Sequence, residues 1–316
     1  MLIIYIFYFT KSYLLHFQGY SLGQSLPIVG SHIFPCTNHT TCKRTAKGGS
    51  SVPLIEANGT RLHYHLAGQG PTLVFIHPPL ITSAVFRYQI AELTTSFRVL
   101  TFDIRGHGAS TPSPTPLTYP LIVEDIRQLL NKLGIEEAYL CGYSTSGSIV
   151  LEALLSYPDR FAGGILISAM SEASTLYLRA AIGAATHLCT PICFRSLATI
   201  LSWSNADTPL TFANLHRAAR QGDPENIQQY FTFSQQYNCT KRLMEIKHPI
   251  LLLYGSKDRR FHKYTKLLQD RLPQVTTQEI KGKRHQLPTK AWRQCNQLIT
   301  DWLTAITTNT APATTV

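Results

Sequence analysis

Five short apolar runs constrain what this chain can fold into: TLVFI at 72–76, RVLTF at 98–102, AYLC at 138–141, GILIS at 164–168 and ILLLY at 250–254. Each is nearly continuous in Val, Ile, Leu and aromatic residues, the composition of strands covered on both faces, and so of a parallel sheet. Helical patterns lie between them. LIVEDIRQLLNKLG (121–134) sets Ile122, Ile126, Leu129, Leu130 and Leu133 on one side and ends at a glycine. The segment 291–306 does the same with Trp292, Cys295, Leu298, Ile299, Trp302, Leu303 and Ile306. Strand and helix in alternation predict an α/β fold, a doubly wound and mostly parallel sheet with right-handed crossovers. Upstream, LIEANG and TRLHYHLAG predict a hairpin turning at Asn58-Gly59.

The remaining segments set the domain organisation. Residues 1–51 contain no Asp or Glu and no sustained period of 2 or 3.6, and their opening apolar run breaks at Lys11, short of a bilayer span. The stretch Lys47-Gly48-Gly49 can be encoded by AAAGGAGGN, which resembles a bacterial ribosome-binding site just ahead of Val52. Residues 1–51 are therefore expected to be an irregular extension, read as a mistranslated leader. The core is expected at 52–169 and 248–307, with a disordered tail at 308–316. Between them, residues 170–247 drop the strand rhythm for four helix-like stretches broken by Pro191, Pro209 and Pro224, as expected of a helical lid inserted between late strands.

Seven cysteines without paired spacing argue against a disulfide framework and for a reducing, cytoplasmic setting. The groupings His32, Cys36, His39, Cys42 and His187, Cys189, Cys193 match no familiar zinc spacing, so no metal is expected. The net charge of +11 comes from scattered Lys and Arg, with the only clusters at 43–44, 259–260 and 281–284. That pattern is a solvated surface rather than a nucleic-acid face.

In doubly wound sheets ligands sit beyond the carboxyl ends of the strands, so function is sought just after each apolar run. After AYLC comes GYSTSG. A serine on an abrupt strand-to-helix turn is pushed out above the sheet, and only small residues fit two positions either side of it. Ser144 meets that test, with Gly142 before it and Ser146 after it; Ser146, flanked by Ser144 and Ser148, does not. A nucleophilic serine needs a base, and the base needs an orienting acid. ILLLY leads into GSKD with Asp258, and VTTQEI, a plausible last strand, leads into KGKRHQLP with His285. His107 and Glu172 are the rival base and acid.

On IHPPL (76–80), DIRGHGAS (103–110), GYSTSG (142–147), YGSKD (254–258) and His285, the chain from about 52 to 307 resembles a serine-type α/β-hydrolase of the lidded esterase and cofactor-free perhydrolase sort. The order Ser144, Asp258, His285 is that of the family's catalytic triad. The resemblance implies acyl transfer on a small-molecule ester, without metal or organic cofactor. Two departures stand out. Ser146 replaces the commoner glycine, and Pro78-Pro79 occupies a loop that usually supplies an oxyanion N–H, which proline lacks. The expected donors are the backbone N–H groups of Thr145 and Leu80, and either the loop is reshaped, for instance by a cis proline, or the hole is weak. Alternatives to an esterase are a slow-turnover ligand-binding module and a serine-dependent perhydrolase or C–C bond enzyme.

Overall fold

The computed structural model describes residues 53–310. The extension at 1–51, its His/Cys grouping and the last residues of the tail lie outside the described residues. Along each apolar run, alternate side chains go to two separate cores. Leu73, Phe75, Val99, Cys141, Ile165, Ile167, Leu251 and Leu253 are buried in one cluster. Val74, Ile76, Leu100, Phe102, Leu140, Leu166, Ile250 and Leu252 are buried in the other. A period of two with both sets buried is what a sheet covered on both faces requires.

The strands are β1 (Leu54–Ala57), β2 (Thr60–Ala67), β3 (Thr72–Ile76), β4 (Arg98–Phe102), β5 (Ala138–Tyr143), β6 (Phe161–Ile167), β7 (Ile250–Gly255) and β8 (Val275–Ile280). They form one eight-stranded sheet in the order β1-β2-β4-β3-β5-β6-β7-β8. The pairs β1/β2 and β2/β4 are antiparallel and every other pair is parallel. The β1–β2 turn is at Asn58 (φ 50°) and Gly59 (φ 69°), the left-handed pair that suits a two-residue hairpin.

The core helices are α1 (Arg87–Leu93), α2 (Tyr119–Lys132) and α3 (Gly147–Ser156). Four helices fill the insertion between β6 and β7: α4 (Leu176–Leu188), α5 (Phe194–Asn205), α6 (Pro209–Ala219) and α7 (Pro224–Gln236). Then come α8 (His262–Arg271), α9 (Leu287–Lys290) and α10 (Trp292–Thr310), which carries the last helix beyond the expected end of the core at 307. Thr118 caps α2, its hydroxyl accepting the Leu121 N–H at 3.3 Å, with Pro120 in the first turn. None of the described helices is long and apolar enough to cross a membrane.

The insertion is fastened at its stem. Glu172 pairs with Asn238 as an isolated antiparallel bridge, and its carboxylate accepts hydrogen bonds from Asn238 Nδ2 (3.1 Å) and Thr240 Oγ1 (2.7 Å). Glu172 thus joins the two ends of the insertion. Leu178, Ile182, Phe194, Leu197, Leu215, Ile227 and Phe231 continue one of the two cores into it.

Candidate active site

The chain turns abruptly at the end of β5. Ser144 has φ 59°, a left-handed backbone that a non-glycine residue adopts only under constraint. The bend is enforced by contact. A Cβ at Gly142 would lie 2.5 Å from the Ser146 carbonyl oxygen, and one at Gly147 would lie 2.3 Å from Ala169 Cβ. Ser146 is fully buried, with its oxygen 2.6 Å from the Ile76 carbonyl, 2.7 Å from the Tyr143 carbonyl and 3.1 Å from the Tyr143 N–H. The hydroxyl that departs from glycine therefore ties the elbow to the end of the neighbouring β3. Steric tolerance was the only property the sequence predicted for it.

Two loops meet above this bend. Past β7, the Lys257 N–H donates to Lys283 O (2.8 Å), the Ser256 N–H to Ile280 O (3.1 Å) and the Gly282 N–H to Ser256 Oγ (2.8 Å). These bonds clamp the Asp258 loop to the His285 loop. His285 Nδ1 is 2.7 Å from Asp258 Oδ2, and His285 Nε2 is 2.9 Å from Ser144 Oγ. Asp258 is 6% exposed, while the Ser144 and His285 side chains are half-buried. The imidazole is flanked by Phe261, with ring centroids 4.2 Å apart, and by Tyr143 at 5.5 Å. A carboxylate accepts only, so the Asp258 contact puts the imidazole proton on Nδ1 and leaves Nε2 to accept the Ser144 hydroxyl.

The oxyanion loop is shaped without a cis proline: no peptide bond among the described residues is cis. Instead Leu80, fully buried, takes φ 68° directly after Pro78-Pro79. No acceptor for the Leu80 N–H is found among the described residues. Thr145, at the start of the helical segment that continues into α3, has a peptide N–H ahead of the first closed turn. Beneath the loop, His77 Nε2 accepts the Ile104 N–H (2.9 Å) while its Nδ1 donates to Pro78 O (3.0 Å). From the insertion, the Tyr230 hydroxyl donates to His77 O at 3.0 Å. Ser83, just beyond the loop, is held by Asp103 Oδ1, which accepts its N–H (3.0 Å) and its hydroxyl (2.7 Å). Burial pushes the Asp103 carboxyl up, but the hydrogen bond from His63, the nearby His77 and His63 imidazoles and the hydrogen bond from Ser83 prevail and hold it at about 2.

The rival residues lie elsewhere. His107 is fully buried, with Nδ1 donating to Arg105 O at 3.1 Å, and Glu172 serves the stem of the insertion. His187, of the second His/Cys grouping, donates from Nδ1 to Gly183 O at 2.7 Å, an ordinary contact within its helix.

The buried imidazoles carry a pH dependence. Burial lowers the pKa of His107 to about 3 and also lowers that of His77, against the opposing charge of Asp103. Below the ordinary histidine value the unfolded chain takes up these protons while the native one does not. Stability is therefore lost as pH falls below about 6.5, by up to ~1.4 kcal/mol per pH unit for His107 down to about 3, with His77 acting in the same direction. Urea unfolding near pH 7 and near pH 5 is expected to show the drop, and His107→Gln to reduce its slope.

Known proteins share this fold. A family model described as the alpha/beta hydrolase fold matches residues 71–287. The chain is 27% identical over 213 residues to the 3-oxoadipate enol-lactonase 2 of Acinetobacter baylyi, covering 65% of this chain and 78% of that one. It is 36% identical over 129 residues to the bifunctional epoxide hydrolase 2 of Sus scrofa, a stretch that is 40% of this chain and 23% of that protein. Across this and three further mammalian epoxide hydrolases it spans only 19% to 31% of their length. In structure it is similar to an enol-lactonase from Burkholderia xenovorans, with TM-score 0.71 and 21% identity over 80% of this chain and 100% of that one. With an eight-stranded sheet in this order and a family match over more than half of its length, the chain belongs to the alpha/beta hydrolase fold family.

Proposed function

We propose that the protein is a serine hydrolase that cleaves a carboxylic ester or related acyl bond of a small to medium apolar substrate through an acyl-enzyme. The observation that carries this reading is the continuous hydrogen-bonded row Ser144–His285–Asp258, with contacts of 2.9 and 2.7 Å, on a serine held at φ 59°. In the mechanism, Ser144 Oγ attacks the carbonyl carbon and its proton passes to His285 Nε2. The Asp258 carboxylate stabilises the imidazolium that results. The carbonyl oxygen becomes an oxyanion, for which Thr145 N–H and Leu80 N–H are the proposed donors. Collapse expels the alcohol, which takes the proton from Nε2. Water, deprotonated by the same nitrogen, then attacks the acyl-enzyme and releases the acid and Ser144.

The helical insertion is proposed to act as a lid. Its Asn205 accepts the Tyr143 hydroxyl at 3.0 Å beside the nucleophile, and its Tyr230 holds the oxyanion loop. Such a cover excludes water and shapes the acyl pocket. A serine at the elbow disfavours the aspartate-dependent chemistry of the superfamily's epoxide hydrolases, although some relatives carry that name. A fluorophosphonate probe followed by mass mapping tests the proposal. Labelling at Ser144, with turnover of short p-nitrophenyl esters, is the expected result; an unlabelled wild type that binds ligand without turnover would overturn it.

A further inference from the structure

Next to the loop that carries His285 the protein has an open cleft of about 690 Å3, lined by no residue of the triad itself and in the size range of small-molecule sites. One wall is Ala206 and Asp207, in the turn between α5 and α6. The other holds Lys283, Lys290, Trp292 and Arg293. Each wall is joined by the chain to a residue of the active site. Ala206 follows Asn205, the partner of Tyr143, and Tyr143 precedes Ser144. Lys283 is two residues from His285 in sequence, so their Cα atoms are within about 8 Å.

The cleft is rich in positive charge and short of anions. Among the described residues none of Lys283, Lys290 and Arg293 forms an ion pair. The cleft's one carboxylate, Asp207, accepts the Tyr88 hydroxyl at 2.7 Å. Two of the cations are held in place: the Arg293 guanidinium lies 4.4 Å from the Trp292 ring centroid, and Trp292 stacks on Tyr88 with centroids 5.0 Å apart. Lys283 Nζ donates to Lys290 O at 3.2 Å. Lys290 is exposed at the rim of the cleft; desolvation lowers its pKa, Asp207 opposes that, and the positive charge of Arg284 adds a smaller lowering. A cation in that condition gains from an incoming anion.

We propose that this cleft receives the anionic end of the substrate, so that the ester carries a free carboxylate bound by Lys290 and Arg293 while its carbonyl sits at Ser144. The assignment rests on the hydrolase reading and goes beyond it, adding one anionic end to a substrate whose acyl part is otherwise apolar. Two matched pairs of esters test it. In one the carboxylate is on the acyl chain (p-nitrophenyl hydrogen glutarate against p-nitrophenyl valerate), and in the other it is on the leaving phenol (para-acetoxybenzoate against its methyl ester).

In one of the pairs the acid is expected to exceed its neutral partner in kcat/KM by about tenfold or more, as a charged hydrogen bond would give. The ratio should shrink with added salt. Lys290→Met with Arg293→Met should bring it close to one, and Lys290→Arg should restore most of it. A ratio near one in both pairs, or a preference that survives the double replacement, would overturn the cleft assignment while the neutral esters still turn over. If neither member of either pair is hydrolysed and Ser144 resists fluorophosphonate, the hydrolase reading fails instead and takes the assignment with it. Free glutarate should compete with the preferred acid. If it alters turnover of the neutral ester without being displaced by the acidic one, the cleft is an effector site and the assignment is overturned.

Discussion

Ser144→Ala is expected to lower kcat for an ester substrate by about 10⁴- to 10⁶-fold without loss of folding. Among the described residues Ser144 Oγ makes a single hydrogen bond, to His285, so its removal costs no other contact there. Asp258→Asn is expected to cost about 10⁴-fold, because an amide donor facing Nδ1 favours the tautomer that cannot accept the serine proton. Glu172→Gln, at the stem of the insertion, should leave kcat within a few-fold of wild type, since its partners Asn238 and Thr240 are remote from the triad in function. Steady-state kinetics of the three variants on one ester checks the set. A Ser144→Ala variant with residual turnover above about one hundredth of wild type would remove the nucleophile from the proposal.

How much of this was legible in the sequence depends on the range of the signal. Strands and helices have a local period, so the apolar runs marked β3 to β7, and Asn58-Gly59 marked the hairpin. Ser144 and Asp258 were legible because each follows an apolar run at a strand end of such a sheet; His285 follows the mostly polar VTTQEI, marked only by its place as the last strand. The contacts that support the site had no such marker. Ser146 bonds Ile76, 70 positions away in the chain, and Tyr230 bonds His77 across 153. A buried hydroxyl in an amphipathic helix looks like any core tyrosine until the fold brings its acceptor to it. The proline pair was legible as a problem but not as an answer, because the left-handed turn at Leu80 depends on the packing that surrounds it.

The largest effect on stability is expected at a pair far from the chemistry. Asp125, on α2, accepts from Arg105 Nε at 2.6 Å and also from its terminal nitrogen, with side-chain exposures of 3% for Arg105 and 1% for Asp125. Asn58 joins the pair, its Nδ2 donating to Asp125 Oδ1 at 2.7 Å while its carbonyl accepts from Arg105 at 3.1 Å. The cluster thus fixes the β1–β2 turn, the loop after β4 and α2 to one another. The two single truncations should differ, because the residue left behind differs. Asp125→Ala leaves a guanidinium that cannot lose its proton, at a cost of about 3–5 kcal/mol. Arg105→Met leaves a carboxyl whose pKa burial already pushes up, so it can take a proton and become neutral. That variant should lose less, and its deficit should narrow as pH is lowered through the raised pKa. Replacing both, as Arg105→Met with Asp125→Leu, should cost less than Asp125→Ala alone, since no charge is then left buried. Urea unfolding of the three variants at two pH values tests the order, and a double variant as unstable as Asp125→Ala would show that the hydrogen bonds to Asn58, rather than the uncompensated charge, set the cost.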